Sequence, residues 1–213
     1  MVSKTVSTAI SALVLVMPVR FTTSLIMSSL IIGIDPRGAF SLKLHDKIRF
    51  SVMSSEVDAI SFRRACSRFA TGITIATVLD PEGVPQGFTA NSFTSVSADP
   101  ALVLICVDRR ANVLPHFKAA GHFAINVLRV EQKELSMRFA ARGQDRFLEV
   151  DWRPGTGGVP LLAGALAQFE CERREVWEAG DHLVFLGGVV AVRYDDGAPL
   201  LYYASGYREL GTE

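Results

Sequence analysis

Hydroxyl and amide side chains are concentrated in one short segment near the middle of the chain, Gly87–Ser97. Apolar residues at every second position bury one face of a strand, and the apolar members expected to anchor this segment are Phe88, Ala90, Phe93 and Val96. The polar members are expected to stay free to bind a ligand: Thr89, Asn91, Ser92, Thr94, Ser95 and Ser97. An uncharged segment of this kind suits a ligand with many hydrogen-bonding groups, such as the ring edge, ribityl chain and phosphate of a flavin. The alternative is a Ser/Thr-rich edge strand or turn.

Basic residues follow two of the predicted elements, where they could hold a phosphate. Arg109 and Arg110 precede Asn112, which is predicted to cap a helix. The first turn of a helix carries unsatisfied N–H groups and partial positive charge, which attract anions. Arg146 belongs to a second polar cluster, where it could reach a phosphate while Phe147 packs. In both places, arginines that are merely solvated are the alternative.

The turn Gly180-Asp181-His182 places an imidazole at the start of a predicted strand, from which the ring could project into a cleft. A lone histidine is more often structural, and both readings stay open for His182. His116 lies on a predicted short helix and His122 begins a strand, so both are predicted to be structural.

Several kinds of site and partner are excluded or disfavoured by composition and motifs. The 213 residues carry a formal net charge of +0 and are 49% hydrophobic, which predicts one medium domain and argues against nucleic-acid binding. The three cysteines are widely spaced, which argues against a disulfide framework or zinc site and favours the cytoplasm. No G-x-S-x-G elbow or His–carboxylate metal spacing occurs, and Gly155–Pro160 fails both the dinucleotide-binding and the P-loop patterns.

The elements that must position these residues are mainly strands. A helix is expected from a cap at Ser55 to a stop at Gly72, with an apolar stripe that includes Val57, Ile60, Ala65 and Phe69. Two more helices are predicted, over Asn112–Ala119 and Glu131–Ala140. Strands are predicted at Ile73–Leu79, Ala101–Val107, His122–Leu128, Ala165–Val176, His182–Tyr194 and Pro199–Tyr203. This pattern predicts a mainly β protein with a few helices, folded as a closed or nearly closed antiparallel barrel.

Residues 1–53 differ in character from the remainder and are expected to lie outside the fold, whose domain would span 54–213. Two apolar runs occur there, Thr5–Val19 and Phe21–Ile34, and neither reaches the roughly 18 residues of a membrane span. A secretory signal, a weak anchor and a segment outside the functional domain are the three readings. The last is preferred, with no stable membrane association and with Met53 as a possible translation start.

The chain resembles the flavin reductase-like family, the small reductase components that serve two-component flavin monooxygenases. The blocks that carry this resemblance lie between about Phe62 and Leu210, in the family's order: Gly87–Val96, Phe123–Leu128, Leu135–Ala140, Asp145–Phe147, Pro160–Leu162, Ala165–Ala167, Gly180–His182 and Pro199–Tyr202. The resemblance implies an FMN-binding split β-barrel, usually a homodimer. It also implies that the protein binds FMN or FAD and oxidises NADH or NADPH.

The resemblance also implies roles for particular residues. Those expected at the flavin ring and ribityl chain are Thr89, Ala90, Asn91 and Ser92. Ser97, or the turn Arg110–Asn112, would meet the phosphate end, and Arg146 and Phe147 would lie near the cofactor. His182 would face the nicotinamide, and Tyr207 would close that pocket. Ala204–Gly206 departs from the family's usual basic residue, which leaves NADH versus NADPH open.

The implied reaction is hydride transfer from C4 of the nicotinamide to N5 of the flavin, which needs no general base. Reduced flavin would then reach a separate monooxygenase. A second hypothesis is a flavin-binding electron carrier without NAD(P)H turnover of its own. A third, an enzyme like pyridoxamine-phosphate oxidase on a similar barrel, should show a more basic phosphate site.

Overall fold

The computed structural model describes residues 57–143 and 145–211, together with two strands nearer the N-terminus. The chain divides into two compact units, residues 1–56 and 57–213. In the first unit, β1 (Leu30–Ile34) and β2 (Phe40–Leu44) pair as an antiparallel hairpin, with Leu30 opposite Leu44. The predicted cap residue Ser55 lies outside the described residues.

The second unit contains the remaining strands and three short helices. The helices are α1 (Ala59–Cys66), α2 (Leu114–Ala119) and α3 (Lys133–Ala140). Single 3₁₀ turns lie at Val130–Gln132 and Thr156–Gly158. The strands are β3 (Thr71–Gly72), β4 (Thr74–Leu79), β5 (Pro85–Ala90), β6 (Thr94–Ala98), β7 (Ala101–Asp108), β8 (His122–Val127), β9 (Trp152–Pro154), β10 (Pro160–Leu162), β11 (Ala167–Ala179), β12 (His182–Tyr194), β13 (Leu201–Tyr203) and β14 (Gly206–Arg208).

Seven strands form one antiparallel sheet in the order β5-β4-β8-β11-β12-β7-β6. Its two edge strands, β5 and β6, are consecutive in the chain and are joined only by residues 91–93. A link of this length spans at most about 14 Å between the strand ends. The two edges must therefore meet at that end, which curls the sheet into a split barrel and confirms the predicted mainly β, antiparallel fold.

The barrel interior is filled by apolar side chains from alternate positions of its strands. In β7, Val103, Ile105 and Val107 are buried while their neighbours are half-buried or exposed, as the two-residue period of a strand requires. Phe117 of α2 contacts Phe88 and Phe185 edge-on, with ring centroids 5.3 and 5.8 Å away. The helix thus packs against the sheet through one aromatic cluster.

A second core lies beneath α3 and the C-terminal strands. It joins Ile75, Leu128 and the fully buried Phe139 to residues of the short strands, among them Leu162. The strands β14, β13 and β3 form a separate antiparallel sheet beside this core. The sequence pattern did not predict β9, β10 or β14, because three residues are too few to show a period.

The predicted first helix is shorter than expected, and its apolar stripe is not buried. α1 begins after Asp58, whose carboxylate accepts hydrogen bonds from the N–H groups of Ile60 (3.0 Å) and Ser61 (2.9 Å). It ends at Cys66 instead of continuing to Gly72. Val57, Ile60 and Phe69 are 69%, 65% and 78% exposed. The stripe is therefore not packed on the core of this unit.

Other element boundaries also differ from those predicted. α2 begins at Leu114, and its N-cap is Val113 instead of Asn112, whose exposed side chain makes no hydrogen bond to any described residue. The predicted helix Glu131–Ala140 is divided into a 3₁₀ turn and α3. Strand β11 continues to Ala179, so the hairpin turn is shorter than predicted. Within the described residues, no helix has the length and hydrophobicity to cross a membrane.

Candidate functional site

The polar segment predicted from the sequence lies along the split of the barrel. Among the described strands, β5 pairs only with β4 and β6 only with β7, so each leaves one edge of its backbone without a strand partner there. Four side chains of the segment have no hydrogen-bond partner among the described residues: Asn91, Thr94, Ser95 and Ser97. The split therefore presents uncharged donors and acceptors to a ligand.

Two hydroxyl groups of this segment are not free, which corrects the expectation for them. Thr89 donates to the carbonyl of Ser136 at 2.6 Å. Ser92 accepts from the N–H of Cys106 at 3.0 Å and donates to the carbonyl of the same residue at 3.3 Å. Val96, expected to anchor the segment, is 48% exposed. Ala90 is buried as expected, and its carbonyl accepts a hydrogen bond from Thr74.

Thr89 and Tyr207 are brought together through Ser136, which is fully buried on α3. The hydroxyl groups of Ser136 and Tyr207 are 2.9 Å apart. The ammonium of Lys133 lies 5.8 Å from the centroid of the Tyr207 ring, and Tyr202 contacts the ring edge-on. The position of Ser136 within a helix gave no signal of this role, because periodicity does not distinguish a buried hydroxyl from a solvated one.

A cavity of about 420 Å³ brings together three of the predicted residues, Asn112, Arg146 and Phe147. Its wall also includes Gln86, Gly87 and His116. Phe147 packs edge-on against Phe139 (4.9 Å between centroids) and Trp152 (6.3 Å), as its predicted packing role requires. His182, Ser97, Arg110 and Tyr207 do not line this cavity.

The Arg146 guanidinium is half-buried in the cavity wall and bonded only to neutral oxygens. It donates to the carbonyl of Gly87 at 2.7 Å and to that of Ala141 at 3.2 and 2.9 Å. Within the described residues it has no carboxylate partner, and burial lowers the pKa of Arg146. Since a guanidinium has five N–H donors, it keeps both an uncompensated charge and free donors for an anion.

The contact of His116 with a buried carboxylate was not predicted from the sequence. Its Nδ1 lies 3.4 Å from a carboxylate oxygen of Asp80, which is buried. Burial alone would raise the pKa of Asp80, but hydrogen bonds from Val84 and Gln86 together with the His116 charge bring it below its ordinary value. The pair fixes the turn after β4 against α2.

A third group of predicted residues lies where β7 meets the β11–β12 hairpin. Nδ1 of His182 is 2.7 Å from the carboxylate of Asp181, and Asp108 of β7 is opposite His182 in the strand register. Arg110 is bonded to Asp108 through its backbone N–H (2.7 Å), Nε (3.1 Å) and Nη2 (2.8 Å). The side-chain bond from Arg110 is the largest cause that holds the pKa of Asp108 well below its ordinary value. Similarly, the hydrogen bond with His182 lowers the pKa of Asp181.

A larger cavity, about 610 Å³, contains none of the predicted residues. Its lining includes Trp152, Arg153, Gln168 and Arg193. Gln168 belongs to a buried polar network centred on Asn126, which ties β10 to the main sheet. Among the described residues, no group of three or more His, Cys, Asp or Glu side chains could hold a metal ion.

Comparison with known proteins identifies the family. The family model described as "Flavin reductase like domain" matches residues 66–211, more than half of the chain. The chain belongs to this flavin reductase-like family. The match covers the sheet, the split and every predicted site residue.

Two curated relatives differ in how much of their length the chain spans. A protein named "Probable flavin reductase" from Rhizobium meliloti is 45% identical over 156 residues, 73% of this chain and 50% of that protein. The chain thus spans half the length of that relative. The reductase subunit HsaB of a flavin-dependent monooxygenase from Mycobacterium tuberculosis is 36% identical over 164 residues, 76% of this chain and 87% of that subunit.

A solved structure has the same fold. The NADH:FAD oxidoreductase SgcE6 of Streptomyces globisporus, in complex with NAD and FAD fragments, is 39% identical to this chain. It matches with a TM-score of 0.69 over 72% of this chain and 93% of that one. The likeness confirms the flavin reductase split-barrel fold.

Proposed function

We propose that residues 54–213 form an NAD(P)H-dependent flavin reductase, which supplies reduced FMN or FAD to a separate monooxygenase. The family match over residues 66–211 is the observation that carries this proposal. The relative from Mycobacterium tuberculosis is named as a monooxygenase reductase subunit, and the Streptomyces enzyme as an NADH:FAD oxidoreductase. The N-terminal segment is proposed to lie outside the functional domain, and the three free thiols suit the cytoplasm.

The residues along the split fit a flavin. The hydrogen-bonding edge of an isoalloxazine needs several donors without a strong charge, and the unpaired edges of β5 and β6 supply them. Because the hydroxyls of Thr89 and Ser92 are already bonded, these residues and Ala90 would contact the flavin through their backbone. Asn91 and Ser97 would contribute their free side chains.

The phosphate would be held by Arg146, with Asn112 and Phe147 beside it. The guanidinium is already oriented by its bonds to Gly87 and Ala141, so little conformational freedom is lost when an anion binds. Arg110 is a weaker candidate than the sequence suggested, because Asp108 neutralises its charge.

The redox chemistry comes from the two cofactors: a bound flavin accepts a hydride from reduced nicotinamide. The chain supplies geometry and fixed dipoles, which stabilise the charge that the flavin gains. His182 would orient the nicotinamide. Its Nδ1 is bonded to Asp181, and its Nε2 has no partner among the described residues. Tyr207, held by Ser136, would close the pocket.

We further propose a homodimer. Several exposed apolar residues lie in the α1 region and on β12, among them Val57, Ile60, Phe62, Phe69, Val190 and Val192. Such surfaces are usually covered by a partner.

The test is NADH and NADPH consumption by the full chain with added FMN, FAD or riboflavin, together with quenching of flavin fluorescence. A reductase consumes nicotinamide only when flavin is present. Tightly bound flavin without nicotinamide turnover would instead establish an electron carrier, and absence of flavin uptake would refute both.

A further inference from the structure

The turn that carries His182 is held in place by a residue of the neighbouring strand. Arg109 follows directly after β7 and contacts the turn in three ways. Its N–H donates to the carbonyl of Asp181 at 2.9 Å, and its Nε donates to the carbonyl of Gly180 at 2.9 Å. Its Nη2 lies 3.0 Å from the carboxylate of Glu178.

Besides Arg109, the strand pairing of Ala179 with His182 and of His182 with Asp108 restrains the base of this turn, whereas its tip is not packed. Glu178, Ala179, Gly180 and Asp181 are all exposed. Exposed turn tips are among the more mobile parts of a fold. The two carbonyls to which Arg109 donates belong to Gly180 and Asp181, the residues just before His182, so these bonds hold the point from which the strand leaves the turn.

The Arg109–Glu178 ion pair is poorly suited to a role in global stability. Its side chains are 40% and 76% exposed, and exposed ion pairs contribute little to folding because water screens them. The side-chain bond from Arg109 does lower the pKa of Glu178, as expected for a carboxylate beside a guanidinium.

We propose that Arg109 is a positioning residue, which fixes the Gly180–Asp181 turn and thereby orients His182 toward the nicotinamide. The inference rests on the proposed function, in which His182 contacts that ring. Hydride transfer requires reacting atoms about 3–3.5 Å apart, and a displacement of about 1 Å can cost about a hundredfold in rate. Arg110, the neighbouring arginine, is bonded instead to Asp108.

Substitution of Arg109 removes two contacts and retains the third. Arg109→Met loses the bonds to Gly180 and Glu178, while the backbone bond to Asp181 remains. Arg109→Lys can still pair with Glu178, but an ammonium on a flexible stem does not reproduce the planar fork that also reaches Gly180. The matched control is Arg174→Met, since Arg174 is also exposed and paired with a glutamate, Glu172, away from the turn.

The first measurement uses steady-state kinetics and flavin binding with the full chain. Arg109→Met should raise KM for NADH about fivefold, with FMN affinity and melting temperature near those of the parent protein. The KM of Arg109→Lys should lie between those of the parent and of Arg109→Met. In the His182→Ala background, Arg109→Met should not raise KM for NADH any further, because both changes remove the same contribution of His182 to nicotinamide binding. Arg174→Met should leave KM unchanged.

The second measurement needs no cofactor. Of the four histidine ring signals in the NMR spectrum of the flavin-free protein, the one that His182→Ala removes should shift or broaden in Arg109→Met and not in Arg174→Met. An unmoved His182 signal overturns the inference whether or not the protein is a reductase. So does an Arg109→Met effect on KM that persists undiminished in His182→Ala. If His182→Ala leaves KM unchanged while the ring signal responds to Arg109→Met, the role of His182 in the proposed function fails instead.

Discussion

The buried amide of Asn126 should be one of the most sensitive positions for stability. It is fully buried and makes four hydrogen bonds: its Nδ2 donates to the Ile75 carbonyl (3.1 Å) and the Thr77 hydroxyl (3.3 Å), and its Oδ1 accepts from the N–H of Leu162 (2.9 Å) and Nε2 of Gln168 (3.0 Å). The amide thereby joins β4, β8, β10 and β11.

Asn126→Ala removes all four bonds, but their partners are affected differently. Gln168 and Thr77 keep second bonds, to the carbonyls of Leu162 and Pro160. The N–H of Leu162 loses its acceptor at a buried position, which costs about 1–3 kcal/mol. The other lost bonds cost about 0.5–1.5 kcal/mol each. The free energy of unfolding should therefore fall by about 3 kcal/mol or more.

Thermal and urea unfolding of the parent protein and of Asn126→Ala measure this loss of stability. For a domain of this size, about 3 kcal/mol lowers the melting temperature by at least about 6 °C. The matched control is Asn112→Ala, since this exposed amide has no hydrogen bond within the part of the chain that the structure describes; it should change stability by no more than about 0.5 kcal/mol. Equal stability of the two variants would refute the structural role given to the network.

Three further perturbations test other contacts. Gly87→Ala places a Cβ 2.9 Å from a backbone carbonyl and 3.0 Å from an aromatic ring, so it should destabilise the fold by about 1–3 kcal/mol in urea unfolding. Gly121→Ala meets nothing within 4 Å and should be neutral; similar losses in both would contradict the packing described. Arg146→Met should weaken FMN binding about tenfold or more in fluorescence titrations, and riboflavin binding much less, whereas Arg142→Met changes neither. Equal effects on FMN and riboflavin would remove Arg146 from the phosphate site. The folded state holds the pKa of Asp108 below its ordinary 3.8, so its contribution to stability is present above that pH and is lost as the pH falls. Acid titration of Asp108→Asn should therefore show a shallower loss of stability below pH 3.8, and an unchanged slope would contradict the assigned shift.

The sequence predicted the fold most successfully where long strands have a clear period. β12 was predicted with both ends as observed, and β4, β7 and β8 within one residue. Short strands such as β9 and β10 were not predicted, because three residues are too few to show a periodicity. The extent of α1 was overestimated, since the helix ends at Cys66 instead of Gly72, and its apolar spacing does not show what covers that face.

The candidate site was predictable in composition but not in detail. The Gly87–Ser97 segment does lie along the split of the barrel, yet the bonds that occupy Thr89 and Ser92 come from α3 and β7, distant in sequence. Such tertiary hydrogen bonds leave no trace in local spacing. Arg110 was expected to hold a phosphate, but it is bonded to Asp108, two residues earlier, a local pair that the sequence prediction did not take into account.

The central claim is that the split between β5 and β6 holds a flavin where reduced nicotinamide can reach it. Its most direct test is anaerobic mixing of the full chain, stoichiometric FMN and NADH, with the yellow flavin absorbance followed in time. We expect the chain to bleach the flavin far faster than NADH alone does. Bleaching at the same rate with and without the protein would contradict it.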